Sequence, residues 1–230
     1  FHYGECKRLC PEAPVPVFNS IKVNTNGGMA MNVFNNVKNM GAQVEIVTNK
    51  NWKNIKKTRF VEEKSNHMFM RLDENDQNYG SLNLNDIDFD KYEAIIVSDY
   101  NKGFLSTDVL EKISNLGKLT FLDTKKILNK WSKNFNFIKI NGVEYEKTKH
   151  TINKETLDKL IITQGKKGSI HKDKRYNVPI VEVKDVSGAG DTFISGLCIK
   201  YLQTKNIEKS INFANQCATI VVQKRGVSTI

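Results

Sequence analysis

The nine residues Asp185-Val186-Ser187-Gly188-Ala189-Gly190-Asp191-Thr192-Phe193 set two glycines around an alanine, with an aspartate just inside an apolar helical pattern. Small residues let a backbone fold tightly against a ligand. A helix that starts here turns its free N–H groups and its positive dipole end toward whatever lies before it. That is a site for an anion, and phosphate is the usual guest. A carboxylate in the first turn, Asp191, would be repelled by a phosphate unless it has a task, such as taking a proton from a nucleophile. Phosphoryl transfer is the chemistry that fits. The structural alternative is a Gly-rich turn with Asp191 as a dipole partner. A P-loop is excluded, because Gly190 is followed by Asp191 rather than by Lys and Ser or Thr. A dinucleotide fingerprint needs three spaced glycines early in the fold, and the kinase HRD and DFG segments are absent.

The elements that must position this loop alternate along the second half of the chain. Apolar runs at Ala94–Val97, Leu119–Leu122, Phe137–Ile140 and Leu160–Thr163 read as strands, and Gly168–His171 and Tyr176–Val183 as two more. Ser106 or Thr107 caps a helix carrying Val109, Leu110 and Ile113, and helices run from Gly190 and over Ile207–Gln223. Strand-helix alternation predicts a mainly parallel sheet covered by helices, an α/β fold. Ligands of such sheets lie beyond the carboxyl ends of the strands, which puts Asp99, Asp123, Asn141, Glu144, Thr163 and Gly165 on one rim. In the first half, Val15–Val23 leads to the turn Asn24-Thr25-Asn26-Gly27-Gly28. A helix over Met29–Met40 and a strand over Val44–Val47 follow. Arg59–Glu63 and His67–Leu72 form a hairpin, and residues 73–85 are polar and turn-rich.

The 230 residues carry a net charge of +10, with lysines scattered rather than clustered. This reads as a solvated surface, whose positive field suits a phosphorylated substrate, and no nucleic-acid partner is expected. No apolar run is long enough for a membrane span, and Phe1-His2-Tyr3-Gly4 does not open a signal peptide. Without an initiator Met, the chain reads as a fragment or a processed product. Cys6 and Cys10, with His2 nearby, lack the second pair that a zinc site needs. Cys198 and Cys217 sit in apolar helical patterns, and nothing resembles a disulfide framework, so a cytoplasmic home is expected.

The string D-V-S-G-A-G-D resembles the D-T-x-G-A-G-D signature of the ribokinase-like (PfkB) carbohydrate kinases. Gly27-Gly28-Met29-Ala30-Met31-Asn32, the N-x-x-E of Asn141 and Glu144, and the T-x-G-x-x-G of Thr163, Gly165 and Gly168 follow the same family pattern in order. Several segments are closest to the D-glycero-D-manno-heptose-7-phosphate kinase domains of ADP-heptose synthesis. They are Pro11-Glu12-Ala13-Pro14-Val15-Pro16-Val17, Lys57-Thr58-Arg59, Arg71-Leu72-Asp73, Ser98-Asp99-Tyr100-Asn101-Lys102-Gly103 and Ala214-Asn215. The resemblance spans nearly the whole chain as one kinase domain, residues 1–230, with lid strands at about 15–23 and 57–72.

The resemblance implies an ATP-dependent kinase phosphorylating the anomeric hydroxyl of the heptose 7-phosphate. Asp191 would be the general base, and Gly188, Ala189 and Gly190 the anion hole. Asn141 and Glu144 would hold Mg²⁺ and its waters, an oxygen-ligand site, although by themselves they read as a helix cap with a first-turn carboxylate. Thr163, Gly165 and Gly168 would lie along the nucleotide, with Asn215 facing the adenine. Gly27, Gly28 and Asn32 would contact the sugar, and Lys102 and Arg71 its phosphate. Asp185 would shape the loop or help bind a monovalent cation. In the family the lid covers the sugar and can pair with a second subunit as a homodimer. The chain departs from the pattern by starting after the family's first strand, with its Gly-Asp and sugar-gripping Asp. It is also short between Val47 and Lys57 and between Glu146 and Lys159. Another sugar as substrate, or a binding protein that has lost turnover, are the alternatives.

Overall fold

The computed structural model describes residues 1–76 and 80–230, so three residues of the polar 73–85 stretch lie outside it. The chain forms two units. The first combines Phe1–Gly27 with the segment from Lys50 through the strand ending at Glu74. The second contains Gly28–Asn49 and the remainder of the chain to Ile230.

The first unit is a four-stranded sheet of β1 (His2–Leu9), β2 (Pro16–Val23), β3 (Lys56–Glu62) and β4 (Met68–Glu74), in the order β2-β1-β3-β4. The expected hairpin is present as β3 and β4, in register from Lys56↔Glu74 to Val61↔Met68. Edge-to-face contacts of Phe18 with Phe60 and Phe69 tie strands that are not neighbours in the sheet. The sequence reading assigned no strand to the first ten residues. β1 lacks a clean period-2 alternation, and it is defined by its two partners, antiparallel β2 and parallel β3.

In the second unit, α1 (Gly28–Asn39) precedes β5 (Ala94–Asp99), α2 (Thr107–Ser114), β6 (Leu119–Thr124) and β7 (Phe137–Asn141). Then come α3 (Gly142–Thr148), α4 (Lys154–Leu157), β8 (Leu160–Thr163), β9 (Ser169–His171), β10 (Lys174–Tyr176), α5 (Ala189–Thr204) and α6 (Ile207–Val221). The sheet order is β10-β9-β8-β7-β6-β5, with β5 to β8 parallel and β9 and β10 antiparallel. Both faces are covered. On one, Phe121 and Ile161 pack with Phe193, Leu197, Ile211 and Val37; on the other, Leu122, Ile138 and Leu160 pack with Leu110, Trp131 and Phe135. Each fully buried side chain of this size contributes roughly 1.5–3 kcal/mol.

Nine consecutive residues of α5, Asp191 to Ile199, are buried. A helix buried all round needs neighbours on every side, and α5 packs on α1, α6 and the sheet. Small residues permit this: a Cβ on Gly196 would come 3.2 Å from Cys217 Sγ and 3.4 Å from Ala214 Cα.

Two expected strands are not formed. Val44–Val47 is irregular: among the described residues no strand pairs with it, and Val44 packs against the core instead. The last strand before the loop covers only Lys174–Tyr176, not Tyr176–Val183. Pro179 has no N–H for a ladder, and Ile180 is fully exposed.

Candidate active site

The inward face of β6 and β7 begins as hydrocarbon and ends as charge. Phe121 lies opposite Phe137, and two residues on Asp123 lies opposite Lys139. The period-2 pleat therefore carries a charged pair to the carboxyl ends of the strands, on the α5 side. Lys139 Nζ lies 2.7 Å from Asp123 Oδ2, with side chains 7% and 14% exposed. Burial alone would lower the pKa of the Lys139 ammonium, but Asp123, Glu144 and Asp191 outweigh it and the pKa is raised, so Lys139 is a cation.

Above this pair stands the start of α5. Gly188 is its N-cap at φ +83°, and no side chain caps the helix. The loop is held from behind by Asp185, whose two carboxylate oxygens accept from Ser187 N–H at 2.8 Å and Gly226 N–H at 3.1 Å. A side chain at Gly188 would be strained by its positive φ, and one at either glycine would displace a neighbouring polar group. A Cβ on Gly188 would lie 2.5 Å from Asn32 Nδ2, and one on Gly190 2.7 Å from Lys139 Nζ. The ammonium thus sits directly against the glycine turn, and a lysine charge joins the helix dipole at one point.

Asp191 is buried and held at both oxygens: Asn32 Nδ2 donates to Oδ2 at 3.2 Å and Tyr100 OH donates to Oδ1 at 3.1 Å. Asn32 is itself oriented by Asn36, whose amide donates to Asn32 Oδ1. Burial pushes the Asp191 carboxyl up to about 6, helped by Asp123 and opposed by Asn32, Lys139 and Tyr100. A buried carboxylate poised near neutrality beside a cation is suited to accept a proton.

Asn141 and Glu144 form a reciprocal cap on α3. Glu144 N–H donates to Asn141 Oδ1 at 2.9 Å, and Asn141 N–H to Glu144 Oε2 at 2.8 Å. The second oxygen of Glu144 pairs with Lys125 at 3.1 Å. Asn141→Ala removes the cap and is expected to cost about 1 kcal/mol of stability, read as a lower denaturant midpoint at unchanged slope.

These groups share one cavity of about 350 Å³, lined by Asp99, Tyr100, Asp123, Lys125, Lys139, Asn141, Glu144, Thr163, Val186, Gly188, Gly190 and Asp191. Asp191, Gly188, Gly190, Asn141, Glu144 and Thr163 are thus brought together, with Ala189 opening α5 and Asn32 holding Asp191. Gly165 begins the turn after β8. A Cβ on Gly168 would meet Tyr176 O at 2.0 Å, so this glycine serves backbone packing. Asn215 does not line the cavity; it is buried, with its amide on Ser169 and Tyr176 O. Gly28 starts α1, and Lys102 is exposed on the loop after β5. Gly27 and Arg71 belong to the first unit, where the Arg71 guanidinium grips Asp73 at 2.9 and 3.0 Å.

Sequence reading gave no role to Tyr100, Lys125 or Lys139. Lys139 had a signal: a lone charge on the inward period of the otherwise apolar Phe137-Ile138-Lys139-Ile140 run. Tyr100 had only its place after a strand-end aspartate, in the segment Ser98 to Gly103 that carries the family resemblance.

Residues 124–230 match the model of the pfkB family of carbohydrate kinases. Just under half of the chain is thus similar to the pfkB family. The chain is also similar over its whole length to curated relatives. Bifunctional protein HldE of Helicobacter acinonychis (strain Sheeba) is 31% identical over 280 residues, covering 97% of this chain and 60% of its own length. The same-named protein of a Nitratiruptor species is 28% identical over 277 residues, covering 99% and 60%. The chain therefore spans about 60% of the length of these relatives. An alignment of 277 residues against a chain of 230 means that the relative carries segments without counterpart here.

Among solved structures, ribokinase from Thermotoga maritima is similar at a TM-score of 0.65 and 14% identity, covering 98% of this chain and 90% of that one. The nucleoside kinase of Methanocaldococcus jannaschii gives 0.64 at 19% identity, covering 98% and 88%. At these identities the likeness is one of fold, and the fold is ribokinase-like. The pfkB kinases are phosphotransferases that act on a sugar hydroxyl, using ATP and usually Mg²⁺. Among the described residues, no helix is long and apolar enough to cross a membrane.

Proposed function

We propose that this chain is a single kinase domain that transfers the γ-phosphoryl group of ATP to the anomeric hydroxyl of D-glycero-D-manno-heptose 7-phosphate, in the cytoplasm. The observation that carries the reading is Asp191: a buried carboxylate in the first turn of α5, beside a glycine turn backed by Lys139. Asp191 takes the proton of the C1 hydroxyl, whose oxygen forms the new bond to phosphorus as the bond to ADP breaks. The N–H groups at Gly188 and Gly190 and the Lys139 ammonium face the charge on the transferred group, with the Ala189 N–H donating to Val186 O at 3.3 Å within the loop, and such fixed electrostatics carry most of phosphoryl transfer. The heptose assignment rests on the HldE relatives and on the segments shared with heptose kinases.

Asn141, Glu144 and Asp123 are hard oxygen donors on one cavity, which fits Mg²⁺ held largely through water. The ion would supply charge neutralisation at the ATP phosphates. Asp185, with both oxygens taken by backbone N–H groups, serves the loop first; a monovalent cation there would bind through the carboxylate's remaining lone pairs. Lys102 is the proposed contact of the sugar's phosphate, Gly28 of the sugar, and Thr163 and Gly165 of the nucleotide. The exposed Met68, Met70 and Leu72 of β4 suit a homodimer through the small sheet.

The test offers the full-length protein ATP, Mg²⁺ and a panel of sugars and sugar phosphates. The heptose 7-phosphate is expected to give the highest kcat/KM. A better non-heptose acceptor overturns the substrate, and binding without turnover on every acceptor overturns the kinase reading. The Asp191 carboxyl adds a pH signature. Because its raised pKa lies at about 6, the base is protonated below that pH. kcat/KM is expected to fall with unit slope below about pH 6, and a flat acid side contradicts a role for Asp191.

A further inference from the structure

The Tyr100 hydroxyl is spent on the one carboxylate that the reaction needs. Tyr100 follows the last residue of β5 and is tied there by Asp99, which is itself buried. Asp99 Oδ1 accepts from Asn101 N–H at 2.9 Å, and Oδ2 accepts from Thr124 Oγ1 at 2.7 Å and pairs with Lys126 Nζ at 3.2 Å. Asn101 takes φ +54°, so the chain reverses immediately after the tyrosine. The phenol ring is packed under Lys125, whose ammonium lies 5.0 Å from the ring centroid. The hydroxyl then donates to Asp191 Oδ1 at 3.1 Å, while Asn32 takes Oδ2 from α1.

A carboxylate has about four acceptor positions. Two are used by these donors, one on each oxygen, which fixes the carboxylate plane and leaves one position on each oxygen for a substrate hydroxyl. The groups that face Asp191 come from four elements: Asn32 on α1, Tyr100 after β5, Asp123 on β6 and Lys139 on β7. Asn32 and Tyr100 are the two that touch it by hydrogen bonds.

We infer that Tyr100 is a positioning residue for the phosphoryl-transfer step, holding the Asp191 carboxylate through its hydroxyl in the orientation that accepts the substrate proton; this rests on Asp191 being the base. The loop of Asp99, Asn101, Thr124 and Lys126 is the mount that keeps the hydroxyl in place. Because the bond to Tyr100 favours the charged carboxylate, its loss raises the pH at which Asp191 ionises.

The test is Tyr100→Phe in the full-length protein, which keeps the ring and its contact with Lys125 and removes only the hydroxyl. The expected result is a fall in kcat of roughly tenfold, the value of a hydrogen bond to a charged group. KM for ATP and sugar should stay within about twofold, and the acid limb of kcat/KM should move to higher pH. A wild-type kcat, or a lower kcat with an unmoved acid limb, overturns the inference. Asp191→Asn is measured in parallel. If it is inactive while Tyr100→Phe matches wild type, only the role of Tyr100 falls; if it keeps wild-type turnover, the base assignment and the inference fall together. A readout free of catalysis is the carbon NMR titration of the Asp191 carboxyl, expected to shift to higher pH in Tyr100→Phe; an unchanged titration also overturns the inference.

Discussion

Asp191→Asn is expected to slow phosphoryl transfer by roughly 10²–10⁴-fold, the range for loss of a general base, with ATP affinity within a few fold of wild type. The substitution is isosteric, and Asn32 and Tyr100 remain as partners, since a phenol oxygen can accept as well as donate. The same change is expected to stabilise the fold at neutral pH. The folded carboxyl titrates at about 6, above its ordinary 3.8, so the native state holds its proton more tightly than the unfolded chain. Stability from this group is present below pH 4 and is lost as pH rises toward and through 6. Removing the charge therefore gains on the order of 3 kcal/mol above pH 7, and the gain fades below pH 4. Denaturation of both proteins at pH 8 and pH 4 checks the sign. A loss of stability at pH 8 would contradict the burial cost assigned to Asp191.

Lys139→Met is the second large effect, and it falls on both stability and turnover. The substitution leaves Asp123 buried opposite a thioether, and breaking a buried pair from one side costs about 3–5 kcal/mol. With the two side chains only 7% and 14% exposed, solvent screening relieves little of this. The denaturation midpoint should fall by an amount corresponding to about 3 kcal/mol or more. Lys139→Met combined with Asp123→Leu should recover most of the stability, because a matched apolar pair needs no counter-charge. Turnover should not recover, because the cation against Gly190 is gone. Recovery of both would make the pair purely structural.

The parallel sheet was legible because its strands are apolar runs closed by turn residues, and the start of α5 because the small residues Gly188, Ala189 and Gly190 stand just before an apolar helical pattern. The rim followed from chain direction alone, and Asp99, Asp123, Asn141, Glu144 and Thr163 do line the cavity. What sequence could not supply was partnership. Val44–Val47 has the composition of a strand but, among the described residues, no strand beside it to bond it. β1 has little alternation and is a strand because β2 and β3 flank it. Asn215 carries a polar side chain on a helix, and only the fold shows it turned inward onto Ser169 and Tyr176. The same limit hid Tyr100 and Lys139. Their weight comes from what they face, Asp191 and Gly190, more than 50 residues away along the chain in the nearest of these pairings.

The proposed reaction brings a sugar hydroxyl to the γ-phosphoryl group at Asp191, in the cavity before α5. Phosphorus NMR of full-length wild type and Asp191→Asn, each with ATP, Mg²⁺ and D-glycero-D-manno-heptose 7-phosphate, tests this directly. A new resonance of an anomeric phosphate, coupled to the C1 proton, is expected with the wild type and not with the variant over the same time. The same resonance growing equally in both, or in neither, would contradict the account.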